Sequence, residues 1–267
     1  MAEDASLVSG ELELVGRVGV ASNLTLVCEI APPGPDGAPL RVVYKPVRGE
    51  RPLWDFPDGT LAGREVASYL ISEELGWGVI PETVLREGPL GPGMVQRWIT
   101  SVDHQGPGER LDLVDLCPPQ AVPDGFCEVL RAHDPEGNEV SLIHADDPRL
   151  QRMAVLDVLL NNADRKGGHA LEGTDGHVYG VDHGICLHSE PKLRTVLWGW
   201  AGTPVQPGLL ADIAGFAAKL PGPVADALAG HITDAEIDAL LARTKALLDD
   251  PVMPLPVSSR PIPWPAF

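Results

Sequence analysis

The pattern of apolar and polar positions divides the chain into a strand-rich first part and a helix-rich second part. Residues 11–20 and 24–30 are rich in Val, Leu and Ile and are joined by a short polar turn, so they predict a β-hairpin. Residues 40–46 predict a third strand that ends at a proline, and residues 79–86 and 94–99 predict two more. These segments predict a small lobe built mainly of strands.

Helical periodicity appears once within this part and dominates the second. Residues 61–75 have apolar positions at helical spacing and stop before Gly76. Residues 149–161 predict a second helix with one apolar side. Residues 207–249 are predicted to be largely helical, with a capping-box sequence, TDAE, at residues 233–236.

Between these parts, residues 101–150 contain eleven acidic and three basic residues and several prolines, which indicates a linker and an irregular, solvated segment. We therefore predict an α+β fold with a β-rich N-terminal lobe over residues 1–100 and an α-rich C-terminal lobe over residues 101–250. Residues 251–267 contain six prolines and are predicted to be an extended or disordered tail. A cleft between the two lobes is the expected place for a site.

Composition and charge exclude some classes of binding partner. The 267 residues carry a net charge of −18, which disfavours nucleic acid and anionic membrane surfaces as partners. The chain has no apolar run of about 18 residues and no signal-peptide pattern at its start. Its four scattered cysteines form no CxxC pair and are typical of reduced thiols, so we expect a cytoplasmic protein.

Two aspartates are the strongest candidates for chemistry. Asp164 follows an apolar helix in the sequence DVLLNNADRKGGHAL, and Asp182 follows an apolar strand in VYGVDHGICL. The short hairpin predicted between them lets both carboxylates face one cleft. Phosphoryl transfer needs such a pair, one to orient the attacking hydroxyl and one to hold Mg²⁺ on the nucleotide phosphates. Asp157, in the preceding helix, is expected to hold the loop by hydrogen bonds.

The segments DRKGGH and VDHG resemble the catalytic and metal-binding loops of the phosphatidylinositol 3-/4-kinase-like superfamily, which includes HipA-type bacterial kinases, and in particular an actinobacterial branch of it. The resemblance implies a two-lobed protein-kinase-like fold, an atypical kinase activity, and ATP with Mg²⁺ or Mn²⁺ as cofactors. It also implies that Asp164 is the catalytic aspartate and Asp182 a metal ligand. His169 stands where the family usually has a metal-binding Asn. Because imidazole favours softer ions than Mg²⁺, this leaves open a Mn²⁺ preference, a single metal or weak activity.

Two residues of the predicted small lobe fit a kinase. Lys45, at the end of the third strand, is expected to position the nucleotide phosphates, and Glu65, on the following helix, is its expected ion-pair partner. Each is weak evidence alone, and their order before Asp164 and Asp182 strengthens it.

Further nucleotide contacts are predicted where kinases bind phosphate and adenine. Ser22 and Asn23 occupy the turn that would cover the phosphates, although no GxGxxG run is present. The backbone at Gln96 and Trp98, between the lobes, is a candidate for adenine recognition.

We therefore expect a kinase that moves the ATP γ-phosphoryl group to a hydroxyl of a protein or small molecule, with no nucleic-acid or membrane partner. A phosphoinositide acceptor fits the acidic surface least. Two alternatives stay open at the level of sequence. One is a pseudokinase, a regulatory module that binds nucleotide without transfer. The other is a His/Asp metallohydrolase, because His169, His177, His183 and His188 cluster beside the two aspartates.

Overall fold

The fold is taken from a computed structural model, which describes residues 5–19, 23–32, 37–102 and 111–267. It is an α+β structure with one lobe built on a five-stranded sheet and a second that is mainly helical. The predicted fold class is thereby confirmed. The lobe boundary near residue 100 stays a prediction.

The small lobe is an antiparallel sheet in the order β1-β2-β3-β5-β4, with a short helix α1 (Ala5–Ser9) packed on it. Its strands are β1 (Leu12–Arg17), β2 (Leu26–Ile30), β3 (Leu40–Pro46), β4 (Thr83–Gly88) and β5 (Gly91–Arg97). All five predicted strands are present, with ends that differ by a few residues. Along β3, Val42 and Tyr44 point into the core of this lobe, so Lys45, the residue after Tyr44, faces the other side.

Helix α2 (Leu61–Glu74) lies against that other side, as the periodicity predicts. It begins where the Thr60 side chain accepts a hydrogen bond from the Gly63 amide. Ala62 and Val66 of α2 pack with Met94, which pairs with Lys45 across the sheet. The next turns of α2 are buried in the core of the larger lobe, so the helix contacts both lobes.

The prediction of an irregular segment over residues 101–150 is wrong for much of its length. It contains an antiparallel sheet in the order β6-β8-β7, formed by β6 (Val114–Cys117), β7 (Phe126–His133) and β8 (Glu139–Ala145). The central strand β8 buries four successive residues. His144 in β8 joins this sheet to the next part of the lobe, because its Nδ1 donates to the Ala145 carbonyl and its Nε2 accepts from the Gly199 amide. Residues 103–110 lie outside the described residues.

The rest of the large lobe follows the predicted pattern. Helix α3 (Pro148–Leu160) leads to the hairpin of β9 (Ala170–Glu172) and β10 (Val178–Gly180), and then to α4 (Pro207–Lys219), a π-helical turn, α5 (Ala225–Leu228) and α6 (Asp234–Asp249). The predicted capping box is present at the start of α6, where Thr233 and Glu236 bond reciprocally. Helix α3 is buried along most of its length and forms the centre of the larger core.

The proline-rich tail is extended, one of the two predicted outcomes, and it is packed against the large lobe. The Pro261 carbonyl accepts hydrogen bonds from the Thr195 amide and the Trp198 indole. The Ala266 carbonyl accepts from the Gly167 amide at 2.8 Å. Residues 261–267 therefore lie beside the loop that contains Asp164.

Two composition-based expectations can be compared with the fold. All four cysteines are free, and three of them are buried. Within the described ranges, no helix combines the length and apolar character needed to cross a bilayer.

Candidate active site

The loop after α3 is held mainly by side chains. Asn161 ends the helix in the left-handed conformation, with φ of 51°. Its side chain donates to the carbonyls of His188 and Glu190 and accepts from the Lys192 amide. The loop and the segment at 188–192 are thereby fixed against each other.

A buried ion pair supports the next turn of this loop. Asp157 of α3 and Arg165 are both fully buried, and two guanidinium nitrogens of Arg165 lie 2.9 Å from carboxylate oxygens of Asp157. Asn162 donates to Asp157 and accepts from the Asp164 amide, each at 2.9 Å. Asp157 thus holds the loop by hydrogen bonds, as the sequence predicts. The carboxylate of Asp164 takes no part in this network, and Asp164 lines the cleft.

Lys45 connects three elements at the cleft. Its Nζ lies 2.8 Å from Glu65 Oε1 on α2 and 2.7 Å from Asp182 Oδ1, just after β10. Asp182 has a φ of 60°, a left-handed conformation that is uncommon outside glycine and places its carboxylate toward the cleft. The sequence predicts the Lys45–Glu65 pair, and the structure adds Asp182 to it.

Burial and charge shape the titration of these groups. Burial disfavours the charged form of Lys45, but Asp182 and Glu65 outweigh it and raise the Lys45 pKa. Lys45, against the effect of burial, lowers the pKa of Asp182 well below its usual range. Burial raises the pKa of Glu65 to about 7, although Lys45 opposes the shift. The ammonium and the Asp182 carboxylate therefore stay charged at neutral pH.

Asp164 faces the same cleft from the other side. Burial raises its pKa to about 6, with Lys166 opposing the shift and Asp182 adding to it. Lys166 Nζ lies 3.6 Å from Asp164 Oδ2. A carboxylate that titrates near neutral pH is suited to accept a proton from a hydroxyl.

His169 occupies the position where the resemblance implies an Asn. Its Nδ1 lies 3.0 Å from the Asp164 carbonyl, which can only accept, so Nδ1 carries the proton. Burial lowers the His169 pKa to about 4, against the pull of Asp182, and the ring is neutral at pH 7. The Nε2 atom, which carries no proton, lies 3.5 Å from Asp182 Oδ2.

This donor pair fits a divalent cation. Two lone-pair atoms, Nε2 of His169 and Oδ2 of Asp182, stand close together with no proton between them, an arrangement that a bound cation stabilises. Among the described residues, no group of three or more His, Cys, Asp or Glu side chains converges to bind a metal ion. Asp182 and His169 would therefore hold an ion only together with other ligands, such as phosphate oxygens and water.

The other predicted nucleotide contacts have mixed placement. Asn23 lies at the rim of the cleft and accepts from the Arg51 amide, while Ser22 lies outside the described residues. Gln96 is buried in β5, where its side chain donates to Thr83, and the Trp98 amide donates to the Arg41 carbonyl. Neither is among the residues that line the cleft, so their role in adenine binding stays a prediction.

The four histidines do not form one site. His177 contacts the Gly78 carbonyl, His183 accepts from the buried Arg165, and the His188 ring accepts from the Glu190 amide. Of the four, His169 is the one that lies at the aspartates. The geometry gives no support to the metallohydrolase alternative.

Two residues of the cleft and one beside it were missed at the level of sequence. Lys166 lines it, and its position next to Asp164 and Arg165 in the DRK triplet was the available signal. Glu50 also lines the cleft and accepts hydrogen bonds from the first two amides of α2. No sequence motif indicates this helix-capping role. The third is Phe267, whose ring lies so close to Gly167 that a Cβ there would be 2.3 Å from it.

Comparison with known proteins gives one relative of high similarity. The chain is 57% identical over 273 residues to Protein Rv2133c of Mycobacterium tuberculosis, an alignment that covers 99% of this chain and 95% of that protein. No protein-family model matches the chain.

Solved structures show a similar fold at low identity. The Golgi casein kinase with Mn/ADP bound superposes with a TM-score of 0.54 at 13% identity, over 91% of this chain and 73% of that chain. Hydra Fam20 with sugar gives a TM-score of 0.50 at 14% identity, over 91% and 85% of the two chains. At these identities the likeness establishes a kinase-like fold and does not single out the phosphatidylinositol-kinase or HipA branch.

Proposed function

The chain belongs to the family of the mycobacterial Protein Rv2133c, and we propose that it is an ATP-dependent phosphotransferase, an atypical kinase that phosphorylates a hydroxyl of a protein or small molecule. One observation carries the proposal. Lys45 Nζ lies within 2.8 Å of both Glu65 and Asp182, in a cleft that Asp164 also lines. Kinases require this lysine–glutamate pair together with a metal-binding aspartate and a catalytic aspartate.

The residues of the cleft take defined roles in this reaction. Lys45 binds phosphate oxygens of ATP while Glu65 orients it. Asp164 orients the acceptor hydroxyl and takes its proton as the oxygen attacks the γ-phosphorus. The bond from that phosphorus to the bridging oxygen breaks, and ADP leaves. A divalent ion held with Asp182 and His169 would supply charge neutralisation of the phosphates.

The first test is thermal unfolding with ATP in the presence of Mg²⁺, Mn²⁺ or EDTA. A ligand at ~100 times its dissociation constant stabilises the folded state by roughly 2.7 kcal/mol, a readily measured shift. We expect a metal-dependent shift that Asp182→Asn abolishes and that Glu136→Gln, an equal charge change at an exposed position, leaves intact. The absence of any shift with ATP would refute the proposal.

Asp164→Asn separates binding from transfer. This variant keeps a side chain of the same shape beside Lys166, so we expect it to retain the ATP-dependent shift and to lose ADP release. Full turnover in Asp164→Asn would exclude Asp164 as the base.

A nucleotide-binding module without transfer is the second candidate. The neutral imidazole of His169, at the position where the resemblance implies an amide ligand, favours it. Its signature is a metal-dependent shift with ATP in the wild-type protein and no ADP release in Mg²⁺ or Mn²⁺.

Three finer parts of the prediction have the sequence alone as support. They are the placement near the phosphatidylinositol 3-/4-kinase and HipA branches, the cytoplasmic location, and the absence of nucleic-acid and membrane partners. The metal requirement also belongs to the proposal, and the Mn/ADP-bound Golgi casein kinase supports it by fold only.

A further inference from the structure

Helix α2, which carries the ion-pair partner of Lys45, is fastened to the large lobe by the residue just before that partner. We propose that Arg64 is a positioning residue, which holds Glu65 in place for Lys45 by locking α2 to α6 and to the segment that follows Asp182. This inference rests on the proposed function of the cleft. It assigns Arg64 a task for which the sequence analysis gave no indication.

The contacts of Arg64 are those of a buried clamp. Its side chain is 1% exposed. One terminal nitrogen donates to the Cys186 carbonyl at 2.8 Å, and the other donates to the Asp58 carbonyl at 2.9 Å and to Glu236 Oε1. The guanidinium also lies over the Phe56 ring, 5.1 Å from its centroid. Arg64 therefore joins α2, the loop before it, the segment after Asp182, and α6.

The anionic partner in this clamp is itself rigid. Glu236 is almost fully buried, and its second carboxylate oxygen accepts from both the amide and the hydroxyl of Thr233 in the capping box of α6. Moving the start of α2 away from α6 would separate two buried opposite charges, which is strongly unfavourable. The clamp thus opposes an outward swing of α2.

Backbone packing on both sides of α2 supports the same conclusion. A Cβ on Gly63 would lie 2.8 Å from the His231 carbonyl oxygen, so α2 lies directly on the large lobe there. A Cβ on Gly184 would lie 3.2 Å from Leu61 Cβ, so the segment after Asp182 is equally close. Because successive helix residues project about 100° apart, Arg64 reaches α6 while Glu65 faces the cleft.

The consequence concerns which part of the site is able to move. Glu65 and Asp182 both stand on structure fastened to the large lobe, whereas Lys45 belongs to the sheet of the small lobe. The contacts from Lys45 to Glu65 and Asp182 therefore span the two lobes. Arg64 thus holds the Glu65 carboxylate in a fixed position, and Lys45 pairs with that carboxylate.

The test is a double-mutant cycle between Arg64 and Lys45. ATP turnover is measured as ADP release in Mn²⁺ at 20 °C, with circular dichroism to verify folding. We expect Arg64→Met to lower kcat/KM for ATP at least tenfold, and Arg64→Met combined with Lys45→Ala to be no worse than Lys45→Ala alone, because both changes disable one unit. Multiplied effects in the double variant would overturn the inference.

Two more variants keep the test informative. Arg64→Lys retains a charge opposite Glu236 but loses the planar fork that also reaches Cys186 and Asp58, so we expect it to fold and to show an intermediate loss. If Arg64→Met does not fold, Arg64→Lys replaces it in the double-mutant cycle. Lys219→Met removes the exposed ion pair to Glu74 at the other end of α2 and should leave kcat/KM unchanged.

The outcomes distinguish this inference from the proposed function. A fall in melting temperature for Arg64→Met and Arg64→Lys, with unchanged kcat/KM in the folded proteins, would show a structural role only and overturn the inference. Unchanged turnover in Lys45→Ala would instead refute the proposed function, and this inference with it.

Discussion

Removal of the Asp157 carboxylate is expected to be among the most destabilising single changes in this protein. Asp157 and Arg165 are both fully buried, and the guanidinium makes three contacts to the carboxylate within 3.2 Å. Asp157→Ala leaves Arg165 charged in the core. Breaking a buried pair in this way costs about 3–5 kcal/mol, which for a protein of this size lowers the melting temperature by about 6–20 °C.

The assay is thermal unfolding followed by circular dichroism, with Glu29→Ala as the matched control. Glu29 pairs with Arg41 at 3.1 Å on the surface, where an ion pair contributes about 0–1 kcal/mol. Asp157→Asn adds a second comparison, because it keeps the shape of the side chain and one oxygen acceptor while it removes the charge and the second acceptor. The reasoning is refuted if Asp157→Ala lowers the melting temperature no more than Glu29→Ala does.

Three further predictions address the tail, the metal and pH. Gly167→Ala places a Cβ 2.3 Å from the Phe267 ring, which must then turn away, so we expect a lower unfolding midpoint and reduced ATP turnover. Gly168→Ala, with nothing within 4 Å, should be tolerated, and equal unfolding midpoints for the two variants would contradict this. His169→Asn should shift the ATP-dependent stabilisation from Mn²⁺ toward Mg²⁺, and an unchanged Mg²⁺/Mn²⁺ ratio in thermal unfolding would count against His169 as a ligand. Burial lowers the pKa of His144, so below pH ~6.5 the unfolded chain takes up a proton that the folded protein does not, and the folded state should become less stable as the pH decreases. Urea midpoints measured at several pH values should depend less on pH in His144→Gln than in the wild-type protein.

The parts of the fold that the sequence predicts correctly are those set by local signals. The alternation in LRVVYKP gives β3 its buried side and leaves Lys45 on the other. The residues Thr233 and Glu236 give the start of α6. The predicted pair of Lys45 and Glu65 is present at 2.8 Å, whereas the contact of Lys45 with Asp182 was not predicted.

The parts that were missed depend on period or on distance along the chain. Over residues 101–150 the acidic count missed the strands, because a count takes no account of neighbours: in β7 apolar residues flank both Glu128 and Arg131. Arginine is rarely buried without a partner, and the partner of Arg64 on α6 is 172 residues away. Prolines in the tail remove amide donors but keep carbonyls, and the Pro261 carbonyl accepts two of the hydrogen bonds that pack the tail.

The contact between the tail and Gly167 also has a consequence for the order in which the site matures during synthesis. The strands that carry Lys45 and the loop that carries Asp164 leave the ribosome early, whereas Ala266 and Phe267 follow every helix and strand described. A nascent chain can therefore assemble the walls of the cleft before the loop beside Asp164 has its last support. The loop gains this support only after residues 261–267 have emerged from the ribosome, and chains that lack them would lack the hydrogen bond from Gly167 to Ala266.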